Sequence, residues 1–372
     1  MFKNKNDLQQ NILKFISKTK QTDYETNQLF NELAMSVFHY QFQYNQPYRQ
    51  YAKLKRCTPM TITRWQELPL IPIQAYKHLN LTTIDPSEAM DVFLSSGTTD
   101  PARKSHHYLS SLGIWEQSMV TGFRKNVLPN RDKITIFALF PNQSENPNSS
   151  LSRYVSTAIS HFGTANSRDF FENNKINYDQ LLKALTQACL DDEPILLLGA
   201  SFSFVHLLNY LHQINQRFEL PSQSIVFDTG GFKGKSKTVS MAELYDDLRD
   251  TFGVTRQQIV NMYGMTEISS QCYDRNIFDE YHQNPIHYEK QSPNWVKIQI
   301  LDPETLHPLP NGERGLLAYY DLANWDSCVA ILTEDMAIQN KYGFILLGRA
   351  KSSEAKGCSI AVDELLNIEE TK

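Results

Sequence analysis

The chain is short of cysteine and of basic charge, and it has no long apolar run. Its five cysteines, Cys57, Cys189, Cys272, Cys328 and Cys358, are odd in number and irregular in spacing. No two form a Cys-x-x-Cys pair, which speaks against a zinc cage or a redox couple. Free thiols in a reducing cytoplasm are the expectation. The formal net charge is −5, so no dominant basic field points to nucleic acid as a partner. No stretch approaches the roughly 18 apolar residues of a membrane-spanning helix. Met1 leads into Lys3, Asn4, Lys5, Asn6 and Asp7, without the apolar core of a secretion signal. A stably inserted protein is therefore not expected, while peripheral membrane contact stays open. Internal repeats are absent as well, and the one biased tract, the Asn/Ser/Pro stretch 141–150, reads as a loop.

What is present is the composition of a globular protein: 372 residues, 41% hydrophobic and 21% charged, with 18 Tyr and 20 Phe. Such a chain can bury one large core or two ordinary ones. The first 80 residues read as helical, with Ile12, Phe15 and Ile16 at helical spacing and Leu29, Leu33, Val37 and Phe38 along a second segment from Glu25 to Tyr44. Pro47, Pro69 and Pro72 break this region into pieces. From about residue 91 the texture becomes strand, glycine turn, helix. Residues 134–140 (ITIFALF), 194–198 (PILLL), 224–227 (SIVF) and 259–263 (IVNMY) read as buried strands, and an amphipathic segment through Phe204, Leu207, Leu208 and Leu211 follows the second. This pattern predicts an α/β fold with a mainly parallel sheet, whose ligands bind beyond the carboxyl ends of the strands. After about residue 290 short strands at 296–301, 315–320, 329–332 and 344–347 predict an antiparallel β region, with a tight turn at 308–312. The expected divisions are a helical segment 1–90, an α/β core 91–290, a β subdomain 291–348 and a tail 349–372.

Five motifs carry candidate chemistry. Ser95-Ser96-Gly97-Thr98-Thr99-Asp100-Pro101-Ala102-Arg103-Lys104 combines hydroxyls, a glycine and two cations, which suits a polyphosphate; it also reads as a polar turn without ligand. Gly230-Gly231-Phe232-Lys233-Gly234-Lys235-Ser236 follows a strand as a P-loop does. Three residues, rather than the four that loop needs, separate Gly230 from Gly234, which counts strongly against a P-loop. A glycine turn where a flat ligand meets bare backbone is the preferred reading, a solvated basic turn the other. Tyr263-Gly264-Met265-Thr266-Glu267 ends a strand and is expected to open a helix. Thr266 can bond phosphate, Glu267 can hold a divalent cation and Tyr263 can stack on a base; capping alone also accounts for Thr266 and Glu267. Asp335, expected just after a strand, can take both ribose hydroxyls, and Arg349 can reach phosphate. Cys358, between Gly357 and Ser359 and close to Lys356, is either an activated thiol or a small buried hydrophobe.

Taken in order and spacing, these motifs resemble those of the acyl-adenylate-forming superfamily. Residues 95–104 are similar to its phosphate loop, with Asp100 in place of a glycine. Gly230-Gly231 lies where its adenine-contacting turn lies, 263–267 match its Tyr-Gly-x-Thr-Glu motif, and Asp335 and Arg349 fall on its ribose aspartate and hinge arginine. Within the superfamily the chain resembles the acyl-protein synthetases of the bacterial luminescence fatty acid reductase system. The matching stretches are Phe38-His39-Tyr40 with Asn45, Tyr48 and Tyr51, then Trp295-Val296 with Leu301-Asp302-Pro303-Glu304-Thr305-Leu306, and Lys356-Gly357-Cys358-Ser359. The 263–267 motif is nearer the general superfamily than the luminescence enzymes, which leaves a role outside luminescence open.

The resemblance implies ATP and Mg²⁺ as cofactors, a fatty or other carboxylic acid as substrate and a fold with the usual C-terminal domain truncated. That domain is of about 100 residues, a small-domain size. It further implies that Ser95, Ser96, Gly97, Thr98, Thr99 and Lys104 hold the β- and γ-phosphates, and that Gly230, Gly231, Tyr263 and Gly264 form the base pocket. Thr266 would meet the α-phosphate, Glu267 the Mg²⁺ and Asp335 the ribose, with Arg349 at the hinge and Cys358 as acyl acceptor. A reductase partner is implied, and a homo- or hetero-oligomer stays open. The alternatives are a ligase that acylates coenzyme A or a carrier protein, and a non-catalytic nucleotide- or acyl-binding subunit.

Overall fold

The computed structural model of the protein describes residues 5–18, 24–95, 103–172, 175–230 and 239–350. They form two compact units. One comprises the described residues of Met1–Thr121, Met265–Gln271 and Glu289–Lys372, the other those of Gly122–Gly264 and Cys272–Tyr288.

The second unit is the α/β one. Its strands Ile259–Tyr263, Ile225–Asp228, Ile195–Gly199, Thr135–Ala138 and Arg168–Asp169 lie side by side in that order, all parallel. Cys272–Asp274 pairs antiparallel with Ile259–Tyr263. The first four are mainly apolar, interrupted by Asn261, Asp228 and Thr135, and every residue in them is buried, as in strands covered on both faces. The four expected strands are therefore real: 259–263 has the expected bounds, and the other three are trimmed or shifted by a residue or two. Between them run the helices Ser150–Phe162, Tyr178–Leu190, Ser201–Gln213 and Met241–Phe252. Leu181, Leu185, Leu207, Leu211, Leu248 and Phe252 pack on Phe137, Leu197, Val226 and Ile259 in one core. Each such side chain contributes about 1.5–3 kcal/mol by leaving water. A separate ring cluster joins Phe123 to Phe162 at 4.7 Å and Tyr154 to Phe227 at 5.9 Å, and the Tyr154 and Tyr273 hydroxyls meet at 3.1 Å.

The first unit carries the antiparallel sheet. Val296–Leu301, Arg314–Asp321, Ala330–Asn340 and Gly343–Arg349 form a meander, and Ile71–Pro72 pairs parallel with Ala330–Asn340. Helices Lys5–Ser17, Tyr24–Tyr44 and Gln46–Leu54 precede it. Past Leu54 the expected helical texture gives way to turns and short 3-10 helices, in the stretch where Pro69 and Pro72 block helical hydrogen bonding. The aromatic stretch 38–51 proves to be packing. Phe38, Tyr48 and Tyr51 are buried, and Tyr40 stacks on Trp325 at 5.5 Å. Gln41, fully buried, ties the long helix to residues 324–329. It donates to the Asn324 and Trp325 carbonyls at 2.8 and 3.0 Å and accepts from Val329 N at 2.9 Å. No described helix is long and apolar enough to cross a membrane.

The same segment holds a titrating group. Asp326 accepts from the backbone and hydroxyl of Ser110, both at 2.7 Å, while its Oδ1 has no hydrogen-bond partner among the described residues. Burial pushes its carboxyl up to about 6, against the opposing pull of Ser110 and of Lys5. Tyr40, also near it, is itself raised. The folded chain thus keeps a proton that the unfolded chain releases near the ordinary value of 3.8. Asp326 is therefore expected to lower stability as pH rises from about 4 to about 6, by on the order of 3 kcal/mol. Denaturant melts of the wild type and Asp326→Asn across that range check it. The variant should lack this share of the slope, and identical slopes would show that Asp326 does not titrate there.

Candidate active site

In the first unit an antiparallel hairpin, Asp91–Leu94 against His106–Leu109, frames the polar loop 95–104. Ser95 N donates to Ser105 O at 3.1 Å, and Ser105 N donates to Ser95 Oγ at 2.9 Å. These bonds close the loop at its base, so Ser95 staples the structure. Ser96, Gly97, Thr98 and Thr99 lie outside the described residues. Arg103 and Lys104 are exposed just before the returning strand.

The turn after Tyr263 is the centre of the candidate site. Tyr263 and Gly264 end the α/β unit, and the chain then enters the first unit with Met265. The expected helix does not form: residues 264–271 are an irregular turn. Long-range partners take the hydrogen bonds that a helix would have used. The Thr266 carbonyl meets His107 Nδ1 at 2.8 Å. The Glu267 carbonyl accepts from Asn324 Nδ2 at 3.0 Å. Asp321 Oδ2 accepts from Ser269 N and Ser270 N, at 3.1 and 2.8 Å, while its Oδ1 accepts from Ser270 Oγ at 2.7 Å.

This scaffold buries the Glu267 side chain, which is only 7% exposed. Burial raises the pKa of its carboxyl; the Ser105 hydroxyl, Arg349 and Lys77 pull the other way. A desolvated carboxylate beside hydroxyls and cations is the environment of a metal or phosphate site. No cluster of three or more metal-binding side chains occurs among the described residues. A buried carboxylate such as Glu267 is the kind of ligand that could hold Mg²⁺ together with substrate phosphates and water.

Asp335 lies within the strand Ala330–Asn340 and not after it, a correction to the expected placement. It pairs directly with Arg349 across the sheet, next to a register shift between Met336 and Ala337. Such a shift re-aims neighbouring side chains. Ile71 and Pro72 pair with Ile331 and Leu332, which sets the 3-10 helix Ile73–Lys77 beside residues 333–335. Gln74 Nε2 donates to Glu334 there at 2.7 Å. Lys77 ends that helix and acts electrostatically on both Glu267 and His78, while burial, Arg103 and Lys77 together lower the His78 pKa. Lys77 was not expected from the sequence. The sole signal was its place in a Pro-bounded apolar segment, Ile71-Pro72-Ile73-Gln74-Ala75-Tyr76-Lys77.

In the α/β unit, Gly230 follows the strand Ile225–Asp228 with φ 73°, a left-handed conformation that favours glycine. Asp228 fixes this turn. Its carboxyl accepts from Gly230 N at 2.9 Å, Ser201 Oγ at 2.8 Å and Asn261 Nδ2 at 2.8 Å. The Thr229 hydroxyl has no hydrogen-bond partner among the described residues. Gly231 and Cys358 lie outside those residues. The described cysteines Cys57, Cys189, Cys272 and Cys328 are free thiols. The first unit thus holds Ser95, Lys104, Thr266, Glu267, Asp335 and Arg349, and the second holds Gly230, Tyr263 and Gly264.

The fold is that of adenylate-forming ligases. A solved 2-hydroxyisobutyryl-CoA ligase, in an open conformation with 2-HIB-AMP and CoA, superposes with a TM-score of 0.62 over 87% of this chain and 74% of that one, at 12% identity. The expected fold class is the one found. Residues 5–367 match the family described as Acyl-protein synthetase, LuxE, and the chain belongs to that family. A long-chain-fatty-acid–luciferin-component ligase of Aliivibrio fischeri is 24% identical over 95% of this chain and 93% of its own length. The ligase of the same name from Vibrio harveyi is 23% identical over 91% and 89%. The chain is accordingly an enzyme.

Proposed function

We propose that the chain activates a long-chain fatty acid as acyl-AMP and passes the acyl group to a cysteine thiol as a thioester. The observation that carries this reading is the buried Glu267 carboxyl, set among Ser105, Lys77 and Arg349 at the end of the 263–267 turn. In the first step a carboxylate oxygen of the acid bonds to the α-phosphorus of ATP, and the bond to the β-phosphate oxygen breaks to release pyrophosphate. The protein's part is positioning and charge neutralisation. Residues 95–104 with Lys104 cradle the outer phosphates, and the Thr266 hydroxyl and Lys77 face the reacting ones. Asp335 takes the ribose, Arg349 adds positive charge, and Gly230 and Tyr263 receive the base. Mg²⁺ on Glu267 would offset the phosphate charge. In the second step a thiolate attacks the acyl carbon, the bond to the AMP oxygen breaks, and the thiol proton passes to solvent. Cys358 is the proposed acceptor, and a reductase that consumes the thioester is the proposed partner.

Intact mass after incubation with MgATP and a panel of fatty acids tests this. An acyl-sized gain is expected that hydroxylamine removes and that Cys358→Ser lacks, with pyrophosphate release retained in the variant. A gain that survives in Cys358→Ser would place the acceptor elsewhere. Pyrophosphate release without any gain would assign the acyl group to a separate thiol such as coenzyme A or a carrier. Neither gain nor pyrophosphate would overturn the reading.

A further inference from the structure

His107 is fully buried on the strand that returns from the 95–104 loop, yet among the described residues its ring makes a single hydrogen bond, from Nδ1 to the Thr266 carbonyl at 2.8 Å. A carbonyl can only accept, so Nδ1 carries the proton and Nε2 is a bare lone pair. That second nitrogen has no partner among the described residues. A buried acceptor left unmatched costs about 1–3 kcal/mol, and a leucine or phenylalanine would fill the same space without it. Packing therefore does not account for an imidazole at this position. Its surroundings hold the ring in one orientation: Phe93 is its cross-strand partner, with ring centroids 6.4 Å apart, and Tyr76 meets it edge-on at 6.3 Å. Tyr76 is in turn fixed by a 2.9 Å hydrogen bond to Ser327 and immediately precedes Lys77.

We propose that His107 is a positioning residue, whose Nδ1–H clamps the Thr266 carbonyl and so sets the Thr266 hydroxyl and the Glu267 carboxylate for phosphate and cation. One imidazole thereby couples the strand leaving the phosphate loop to the turn bearing the metal ligand. The inference rests on the adenylating role of that turn. It is a device that local sequence does not specify, since the two ends of the clamp are 159 residues apart.

The test compares His107→Leu, which removes the donor, with His107→Asn, whose amide can place an N–H near the position of Nδ1. Each is measured by thermal melting, by ATP–pyrophosphate exchange against Mg²⁺ concentration, and by amide hydrogen exchange of the peptide covering 262–271. His107→Leu should raise the Mg²⁺ midpoint roughly 10–100-fold, as lost outer-shell partners of metal ligands do, and should speed amide exchange in that peptide. His107→Asn should recover most of both. An unchanged Mg²⁺ midpoint with unchanged amide exchange in His107→Leu would overturn the proposal. Equal impairment of two folded variants would do the same, because the donated hydrogen bond would then be irrelevant. A wild type without pyrophosphate exchange for any acid would defeat the adenylation reading instead; the amide exchange of the two variants would still decide whether the clamp exists.

Discussion

Glu267→Gln is expected to lower ATP–pyrophosphate exchange by roughly 10²–10³-fold, the scale on which a single preorganised charge contributes to such a transition state. Stability should not fall with it. The carboxyl is buried, and desolvation is the largest influence on it, raising its pKa. The glutamine amide has nearly the same volume and carries no charge to desolvate. What it loses is the anion that faces Lys77 and Arg349 and that would ligate Mg²⁺. Activity and stability are therefore expected to separate, with exchange lost and the melting temperature held or raised. A structural role predicts the reverse pattern. Normal exchange in a folded Glu267→Gln enzyme would remove Glu267 from the mechanism.

The parallel strands were legible because their signal is local and redundant. ILLLG is apolar throughout and IVNMY is apolar apart from Asn261, since both faces are covered, and glycine turns mark their ends. The 263–267 motif stands out for a related reason: its candidate chemistry is written in consecutive residues. The misplacements share a non-local cause. A helix was expected after Glu267 from the capping habit of Thr and Glu, but Asp321 takes the Ser269 and Ser270 N–H groups from 51–52 positions away along the chain. Asp335 was expected beyond a strand, but the strand runs on to Asn340 and pairs Asp335 with Arg349 next to a register shift at Met336. Lys77 went unseen because its influence on Glu267 depends on the short pairing of Ile71–Pro72 with a strand about 260 residues later. Its own neighbourhood carries no motif. His107 is likewise an unremarkable strand residue until Thr266 is seen opposite it.

Asp321→Ala is expected to cost on the order of 4 kcal/mol of stability, among the larger effects of a single substitution. Asp321 is 1% exposed and accepts from Ser269 N, Ser270 N, Ser270 Oγ and Ala323 N, the last at 2.9 Å. Alanine would leave three backbone N–H groups buried without an acceptor, at about 1–3 kcal/mol each, less whatever relaxation recovers. In the native fold the four donors oppose the desolvation that pushes this carboxyl up to about 6, so the side chain is held at a cost that the anchored loop must offset. Ser270 also joins a wider buried network, since its hydroxyl lies 2.9 Å from both Ser118 Oγ and Trp295 Nε1. Losing Asp321 should therefore loosen the segment that follows Glu267 before it unfolds the unit. Asp321→Asn should fall between, because its single carbonyl can satisfy the Ser269 and Ser270 amides while its NH₂ opposes the Ala323 N–H. Denaturant melts give the stability order wild type, Asn, Ala. Pyrophosphate exchange measured well below each melting temperature should follow the same order. An Asp321→Ala protein within about 1 kcal/mol of wild type, a typical surface-mutation effect, would show that the turn bearing Glu267 is held by its other contacts and that this carboxylate is dispensable.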